Sequence, residues 1–421
     1  MIKSDTDISR LPRVLQRFLH YISFDTTADD SSSSTPTSEG QKLLAEELCR
    51  ELKALGADNA HVTEHGIVMA SIPATPGCEN HPVMGFIAHM DTSPEAKGGP
   101  VNWRIAAYQG GDIVLDAGEE IVTKVSRFPE LKRYAGQDIV VTDGHTLLGA
   151  DDKAGIAVVM GVAEALLSHP EIPHAGISIA FTPDEEISRG TEHFDLQAFG
   201  ADYAYTVDGG ELGEIDVETF NAAIAKVTMH GTAVHPGIAK GKMVNALRLV
   251  TRFVETLPKD ETPERTDKRE GFYHPIRIEG GVEQASVIIL IRDHDEDAFE
   301  VRKSRLAARA YDYDRYGEGT CRIVMRDQYY NMKKYLKRTP KVLSAAKAAI
   351  RACGVTPVKN PVRGGTDGAK LSEAGLPCPN LFTGGLYFHG VHECLPVPSL
   401  LKAEEVAVTL ARMSAEIESL R

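Results

Sequence analysis

Ile177-Ser178-Ile179-Ala180-Phe181-Thr182-Pro183-Asp184-Glu185-Glu186 reads as a short strand that runs out into a proline and three acids. The apolar run is too short for a helix, and proline cannot continue a sheet ladder, so Thr182 to Glu186 lie beyond the strand's C-terminal end. Two other strand-like runs end in the same manner. Val83–Ala88 is followed by His89-Met90-Asp91, and Tyr203–Val207 runs directly into Asp208-Gly209-Gly210. With Ile67–Ile72 as a further strand and a helical pattern over Lys153–Leu167, the alternation predicts an α/β domain with a largely parallel, buried sheet. Ligand and catalytic groups of such sheets gather at the C-terminal edge of the strands. Solvated turn acids would explain any one of these ends, but not their common position.

Outward from this core, Val14, Phe18, Leu19 and Ile22 mark an N-terminal helix, and Ser31–Ser38 a polar surface loop. Ser38 and Gln41 fit an S-x-x-Q capping box ahead of a helix with Leu44, Leu48, Leu52 and Leu55 on one face, stopped at Gly56. Around Val217 the texture changes. Strand-like Ala223–Met229, a helix over Met243–Leu257, a charged linker Lys259–Glu270, strand-like Ser286–Arg292, a helix over Ala298–Tyr311 and strand-like Cys321–Met325 follow, an order like the split β-α-β unit of ferredoxin-like domains. From Asn331 the α/β texture returns, with a helix through Ala345–Arg351, strand-like Asn380–Phe382 and a last helix near Ala403–Ile417. The expected organisation is residues 1–218 and 332–421 as one domain, with 219–331 inserted into it.

The chain's 421 residues, 42% hydrophobic and 25% charged, suit two or three globular domains and exclude collagen-like, disordered and disulfide-scaffold classes. No apolar run approaches the ~20 residues that span a bilayer; the stretch Ile156–Leu167 is broken by Glu164. Lys3, Asp5, Asp7, Arg10 and Arg13 leave no apolar h-region for a signal peptide, so a cytoplasmic protein without membrane attachment is expected. Lys and Arg number 46 against 60 acids, a net charge of −14 that disfavours nucleic acid as a partner. Cys49, Cys78, Cys321, Cys353, Cys378 and Cys394 form no C-x-x-C pair and read as reduced, buried thiols.

Gly149-Ala150-Asp151-Asp152-Lys153 precedes a helix, so Asp152 suits an N-cap while Asp151 is free to face the strand ends. After Gly384-Gly385 come His389 and His392, two candidates between which the residues alone do not choose. Together these positions offer imidazole nitrogen and carboxylate oxygen, the donor set of Zn²⁺, Mn²⁺ or Co²⁺, and no cysteine for a structural zinc site. One Asp bridging two ions ~3.5–4 Å apart, with a spare acid to take a proton from water, is the arrangement of metal-assisted hydrolysis.

The segments His89-Met90-Asp91-Thr92, Gly149 to Lys153, Pro183 to Glu186, Val207 to Gly210 and that around His389 resemble the di-zinc exopeptidase family, which includes aminoacylase, glutamate carboxypeptidase and succinyl-diaminopimelate desuccinylase. Thr146 to Gly155, Phe181 to Glu186, Tyr205 to Gly210 and Arg363-Gly364-Gly365-Thr366-Asp367-Gly368 are similar to the family's tripeptide aminopeptidases in particular. The resemblance implies a catalytic domain with a mixed, mostly parallel sheet and an inserted ferredoxin-like α+β lid. It implies two zinc ions per subunit, with Mn or Co as substitutes, one held by His89, Asp151 and Asp208 and the other by Asp151, Glu186 and His389. His389 rather than His392 is the implied ligand because the family places it four residues before a Glu, here Glu393. Asp91 would orient His89, Glu185 would be the general base, and the Asp151–Asp152 peptide would be cis. In the lid and its neighbours, His235 would reach the substrate carbonyl, while Arg292, Arg363 and Asn331 would bind the C-terminal end of a small peptide. Several relatives form a homodimer through the lid. The implied activity is release of the N-terminal residue of tripeptides, with a dipeptidase or N-acyl-amino-acid amidohydrolase as the alternative. A catalytically dead peptide-binding relative is expected to lack a ligand or the base, and none is missing. Ser31–Ser34, Ile187-Ser188-Arg189 and Cys394-Leu395-Pro396 depart from the family's pattern, none of them at a ligand position.

Overall fold

Every residue of strand Met84–His89 is buried, as a strand covered on both faces requires. Its side chains divide by parity. Met84, Phe86 and Ala88 join the main core, while Ile87 joins a smaller cluster on the opposite face; Val68, Ala70 and Ile72 divide from Ile67 and Met69 in the same way. In a computed structural model, which describes residues 8–317 and 319–420, this strand lies inside a seven-stranded sheet. The charged residues Lys3, Asp5 and Asp7 lie outside the described residues.

The sheet runs in the order His61–Val62, Val68–Ile72, Ile177–Thr182, Met84–His89, Tyr203–Gly209, Asn380–Phe382, Ile215–Asp216. Its four inner strands, 177–182, 84–89, 203–209 and 380–382, are mutually parallel, and antiparallel partners flank them. The α/β class with a mixed, mostly parallel sheet is therefore present as expected. Helix Ala150–Ser168 is buried almost all round because helices Arg13–Tyr21 and Val397–Met413 and strand 84–89 pack about it. Helix Glu39–Leu55 ends at Gly56 in the left-handed region (φ 110°), the C-cap glycine the sequence indicates.

Strands Arg104–Tyr108, Gln137–Val141 and Cys394–Pro396 form a three-stranded sheet, and Ile113–Asp116 pairs with Ile121–Thr123; none of these is foreseen above. The capping box is a correction. Ser38 is the N-cap of helix 39–55, yet its side chain accepts no cap hydrogen bond, and Gln41 is fully buried. The Gln41 Nε2 reaches Ser38 Oγ at 3.1 Å as well as the buried Asp184 carboxylate at 2.8 Å, but its Oε1, which a capping box would turn to the Ser38 N–H, accepts the Asp184 N–H.

The chain divides into two units. The first comprises the residues up to 217, 334–360 and 366 onward; the second comprises 218–333 and 361–365. The second holds four antiparallel strands in the order Phe272–Gly280, Gln284–Asp293, Asn221–His230, Cys321–Tyr329, with helices Ala246–Glu255 and Glu296–Tyr311 packed on one face through Leu249, Val250, Phe253, Phe299 and Leu306. This is the split β-α-β order. Residues 361–365, which the sequence reading leaves with the first domain, belong to this unit. Among the described residues no helix is long and apolar enough to cross a membrane, and all six cysteines are buried and joined in no disulfide.

Candidate metal centre

Each strand of the inner sheet delivers one piece of the centre. His89 ends strand 84–89, Asp208 is the penultimate residue of strand 203–209, and Glu185 and Glu186 stand in the turn after strand 177–182. Asp151 stands at the start of helix 150–168, where the Asp151–Asp152 peptide is cis and both residues have non-helical backbone angles. His389 follows strand 380–382 with a φ of 64°.

The two oxygens of Asp151 face different imidazoles. Oδ1 is 2.9 Å from His89 Nε2, and Oδ2 is 3.3 Å from His389 Nε2. His89 Nε2 is also 3.5 Å from Asp208 Oδ1, and His389 Nε2 is 3.0 Å from Glu186 Oε2. Two triads result, His89–Asp151–Asp208 and Asp151–Glu186–His389, and within each one donor atom per residue lies within 4.8 Å of the others. His392 is elsewhere, its Nδ1 3.0 Å from Thr123 Oγ1 and its ring beside Phe128.

Buried groups around the triads fix their positions. Asp91 meets His89 Nδ1 through Oδ1 at 3.3 Å and accepts the N–H groups of Glu185 and Glu186 at 2.9 and 3.0 Å. One carboxylate thus orients both the imidazole and the turn of paired glutamates. Asp152 accepts from His89 N and Gly155 N, so it does cap the helix while tying it to the strand. The Asp367 N–H donates to Glu185 Oε1 at 3.1 Å. Glu393 accepts from Leu148 N, Gly149 N and Asp151 N, clipping the loop that presents Asp151 to the segment that presents His389. Glu393 enters the sequence reading only as a spacing mark, because its partners are backbone amides distant along the chain.

Burial dominates the electrostatics. It pushes Asp208 and Glu186 up to about 7 and raises Glu185 well above the usual range, the last helped by the neighbouring Asp367. Asp151 moves the other way, since hydrogen bonds from His389 and His89 overcome the cost of burying it. His389 rises to about 11 because Asp151 and Glu186 outweigh its own desolvation. Asp91, Asp151, Asp152, Asp208, Glu185, Glu186 and Asp367 are thus gathered around two imidazoles and the buried Lys153, whose burial lowers it to about 8. Such an excess of buried carboxylates is costly without added positive charge. Glu186 Oε1 is buried with no hydrogen-bond partner. The donor chemistry, the shared Asp151 and this orphaned oxygen all fit a pair of divalent ions.

The other four candidates belong to the second unit. His235 is exposed, and its Nδ1 accepts from Gly237 N at 3.1 Å. Arg292 donates to Ala223 O and Ile291 O and lies 5.7 Å from the Tyr329 ring centroid. Arg363 stands over Phe220 and Phe272 and donates to Lys268 O, Glu270 O and Thr266 Oγ1. Asn331 is buried with its amide engaged, Oδ1 accepting from Thr219 N and Lys333 N and Nδ2 donating to His294 O.

The family model described as Peptidase family M20/M25/M40 matches residues 140–413. A protein named Peptidase T from Parabacteroides distasonis is 48% identical over 402 residues, covering 96% of this chain and 99% of its own length. A Peptidase T from Clostridium perfringens is 47% identical over 409 residues, with 96% and 100% covered. Among solved structures, aminopeptidase PepT from Bacillus cereus superposes with a TM-score of 0.72 at 23% identity, covering 96% of this chain and 98% of the other. A tripeptidase from Staphylococcus aureus gives 0.74 at 20% identity with the same coverage. At those identities the two structures speak for the fold.

Proposed function

The chain belongs to peptidase family M20/M25/M40, in its peptidase T branch, and from that premise we propose that it is a two-metal aminopeptidase releasing the N-terminal residue of tripeptides. The observation that carries the reading is the pair of donor triads sharing Asp151, with Glu185 left over as a further buried carboxylate. His89, Asp151 and Asp208 would hold one ion, and Asp151, Glu186 and His389 the other. Mixed imidazole and carboxylate donors favour zinc, with Mn or Co as substitutes. When bound, the ion pair supplies Lewis acidity, polarising the scissile carbonyl and acidifying water.

Glu185 takes the proton of the attacking water and returns it to the leaving amine, a role suited to a carboxylate raised by burial. Asp91 keeps His89 and the Glu185–Glu186 turn in register through their shared hydrogen bonds. In the second unit, His235 donates to the substrate carbonyl, and Arg292 and Arg363 read the C-terminal carboxylate with the N–H groups left over from their internal bonds. Asn331 enters as a support for these residues, since its own amide is committed. A cytoplasmic compartment suits buried cysteines joined in no disulfide, and exposed Ile276, Ile278 and Val324 on the second unit's strands favour the homodimer.

The test is hydrolysis of di-, tri- and tetrapeptides and N-acyl amino acids by the zinc-loaded protein, with products separated and identified. Release of the first residue from tripeptides is expected. Cleavage of dipeptides or N-acyl amino acids alone would move the assignment to a dipeptidase or amidohydrolase, and no cleavage with Zn²⁺, Mn²⁺ or Co²⁺ would leave a binding protein.

A further inference from the structure

The turn that carries Glu185 and Glu186 closes on itself through Ser188 N–H to Glu185 O and Arg189 N–H to Asp184 O, and it is also held from outside. Asp184, immediately before them, has a φ of 57°, a left-handed conformation uncommon outside glycine, though Asp tolerates it better than most, and here its surroundings hold it. Those surroundings come from the start of helix 39–55. Thr37 N–H donates to both Asp184 oxygens, at 3.0 and 3.2 Å, and Thr37 Oγ1 donates to Oδ1. Gln41 reads Asp184 twice, its Nε2 donating to Oδ1 at 2.8 Å and its Oε1 accepting the Asp184 N–H at 3.1 Å. Gln41 and Asp184 are 0% exposed and Thr37 is 8% exposed.

Asp91 holds the next two amides, so the peptide N–H groups of residues 184, 185 and 186 are each pinned by a named side chain. Further along the turn, Arg189 donates to Ser32 O, Ser34 O and Thr35 Oγ1. The stretch 32–41 is therefore stitched to 184–189 at both ends. Ser31–Ser34 and Ile187-Ser188-Arg189, two of the segments that depart from the family's pattern, are partners of each other here.

We propose that Thr37 and Gln41 are positioning residues for Glu185: by clamping Asp184 they set the angle at which the Glu185 carboxylate leaves the turn, with Arg189 as the outer anchor. The proposal rests on Glu185 being the general base. Neither residue meets a metal donor, and Glu186 is held separately through its N–H to Asp91 and its Oε2 beside His389 Nε2, so loosening the clamp shifts the base without removing a ligand. A displacement on the order of 1 Å at a reacting group costs roughly 10²-fold in rate.

The experiment compares Thr37→Val, Thr37→Ser, Gln41→Leu, Arg189→Ala and Glu185→Gln in the metal-loaded enzyme, measuring kcat and KM on an unblocked tripeptide, metal content by atomic emission, and Tm. Thr37→Val and Gln41→Leu are expected to lower kcat about 10- to 100-fold with KM within about threefold and both ions retained. Thr37→Ser, which keeps the hydroxyl, restores most of the rate, and Arg189→Ala lowers kcat about three- to tenfold, short of a full displacement. If Gln41→Leu fails to fold, the Thr37→Val and Thr37→Ser pair, differing at one hydroxyl, decides. A kcat within twofold of the parent for Thr37→Val, a loss that tracks missing metal, or a Thr37→Ser protein as slow as Thr37→Val overturns the clamp. An active Glu185→Gln protein overturns instead the assignment of the base, so the two failures are distinguishable.

Discussion

Asp151 presents one carboxylate oxygen to each imidazole, whereas Glu185 touches neither, and this difference separates their substitutions. Glu185→Gln should lower kcat by about 10²–10⁴-fold, the usual worth of a general base, while the protein keeps its metal. Asp151→Ala should lose metal and activity together, since each triad contains it. Metal content measured beside kcat on both variants checks this; a Glu185→Gln protein stripped of metal beside an Asp151→Ala protein that retains it would reverse the roles. At this scale the candidate reactive groups were legible because several apolar strands end in His or acids at one edge, a common position that solvated turns, adequate for any single strand end, do not explain. Glu393 and Gln41 were not. A carboxylate that binds backbone amides leaves no pattern of side chains to read, and Gln41 satisfies the capping-box pattern while serving Asp184.

Among elements, helix 150–168 and strand 203–209 meet where Gly155 leaves no room. A Cβ on Gly155 would collide with Val207 O and with the Asp152 carboxylate, the group that accepts His89 N–H. Gly155→Ala should therefore destabilise the first unit by about 1–3 kcal/mol, as overpacking does, and also weaken metal binding, because Val207 precedes Asp208. Urea unfolding together with calorimetric titration of Zn²⁺ checks both, and a variant with parental stability and affinity would show that the contact relaxes freely. The inner strands were legible because burial on both faces writes a nearly continuous apolar run. Strand 272–280 was not. It lies at a sheet edge, where the register shifts between Pro275 and Arg277 and residues 276–280 are exposed, and Pro275, which cannot donate to the ladder, breaks its aromatic and β-branched run into pieces too short to read as a strand. The strands within 104–141 belong to small sheets and share only Ile105 and Val140 with the main core, and short runs such as Ile121–Thr123 carry little signal.

For the whole molecule, a change of texture at Val217 and again near Asn331 reveals the second unit, but Pro361-Val362-Arg363-Gly364-Gly365 looks like a linker and not like part of that unit. Its attachment depends on an arginine lying over two aromatic rings, contacts that composition does not show. The second unit also closes on itself electrostatically. Glu218, near its first strand, pairs with Arg269 at 2.9 Å and with Lys333, near its last, at 3.1 Å. The Arg269 hydrogen bond, with Lys333 adding to it, holds the Glu218 carboxyl at about 2, well below its ordinary 4.5. A carboxyl depressed in the folded state stabilises fully above its unfolded value, and the contribution is lost as pH falls toward the folded value. Glu218 should thus stabilise the second unit at and above about pH 5, with the contribution fading between 4.5 and about 2. Arg269 and Lys333 are 59% and 49% exposed, so solvent screening reduces the effect to about 1 kcal/mol. The check is the Tm difference between the parent and Glu218→Gln across this range. It should be largest near neutrality and shrink toward zero as the solution approaches pH 2; a constant difference would mean that Glu218 acts through packing alone.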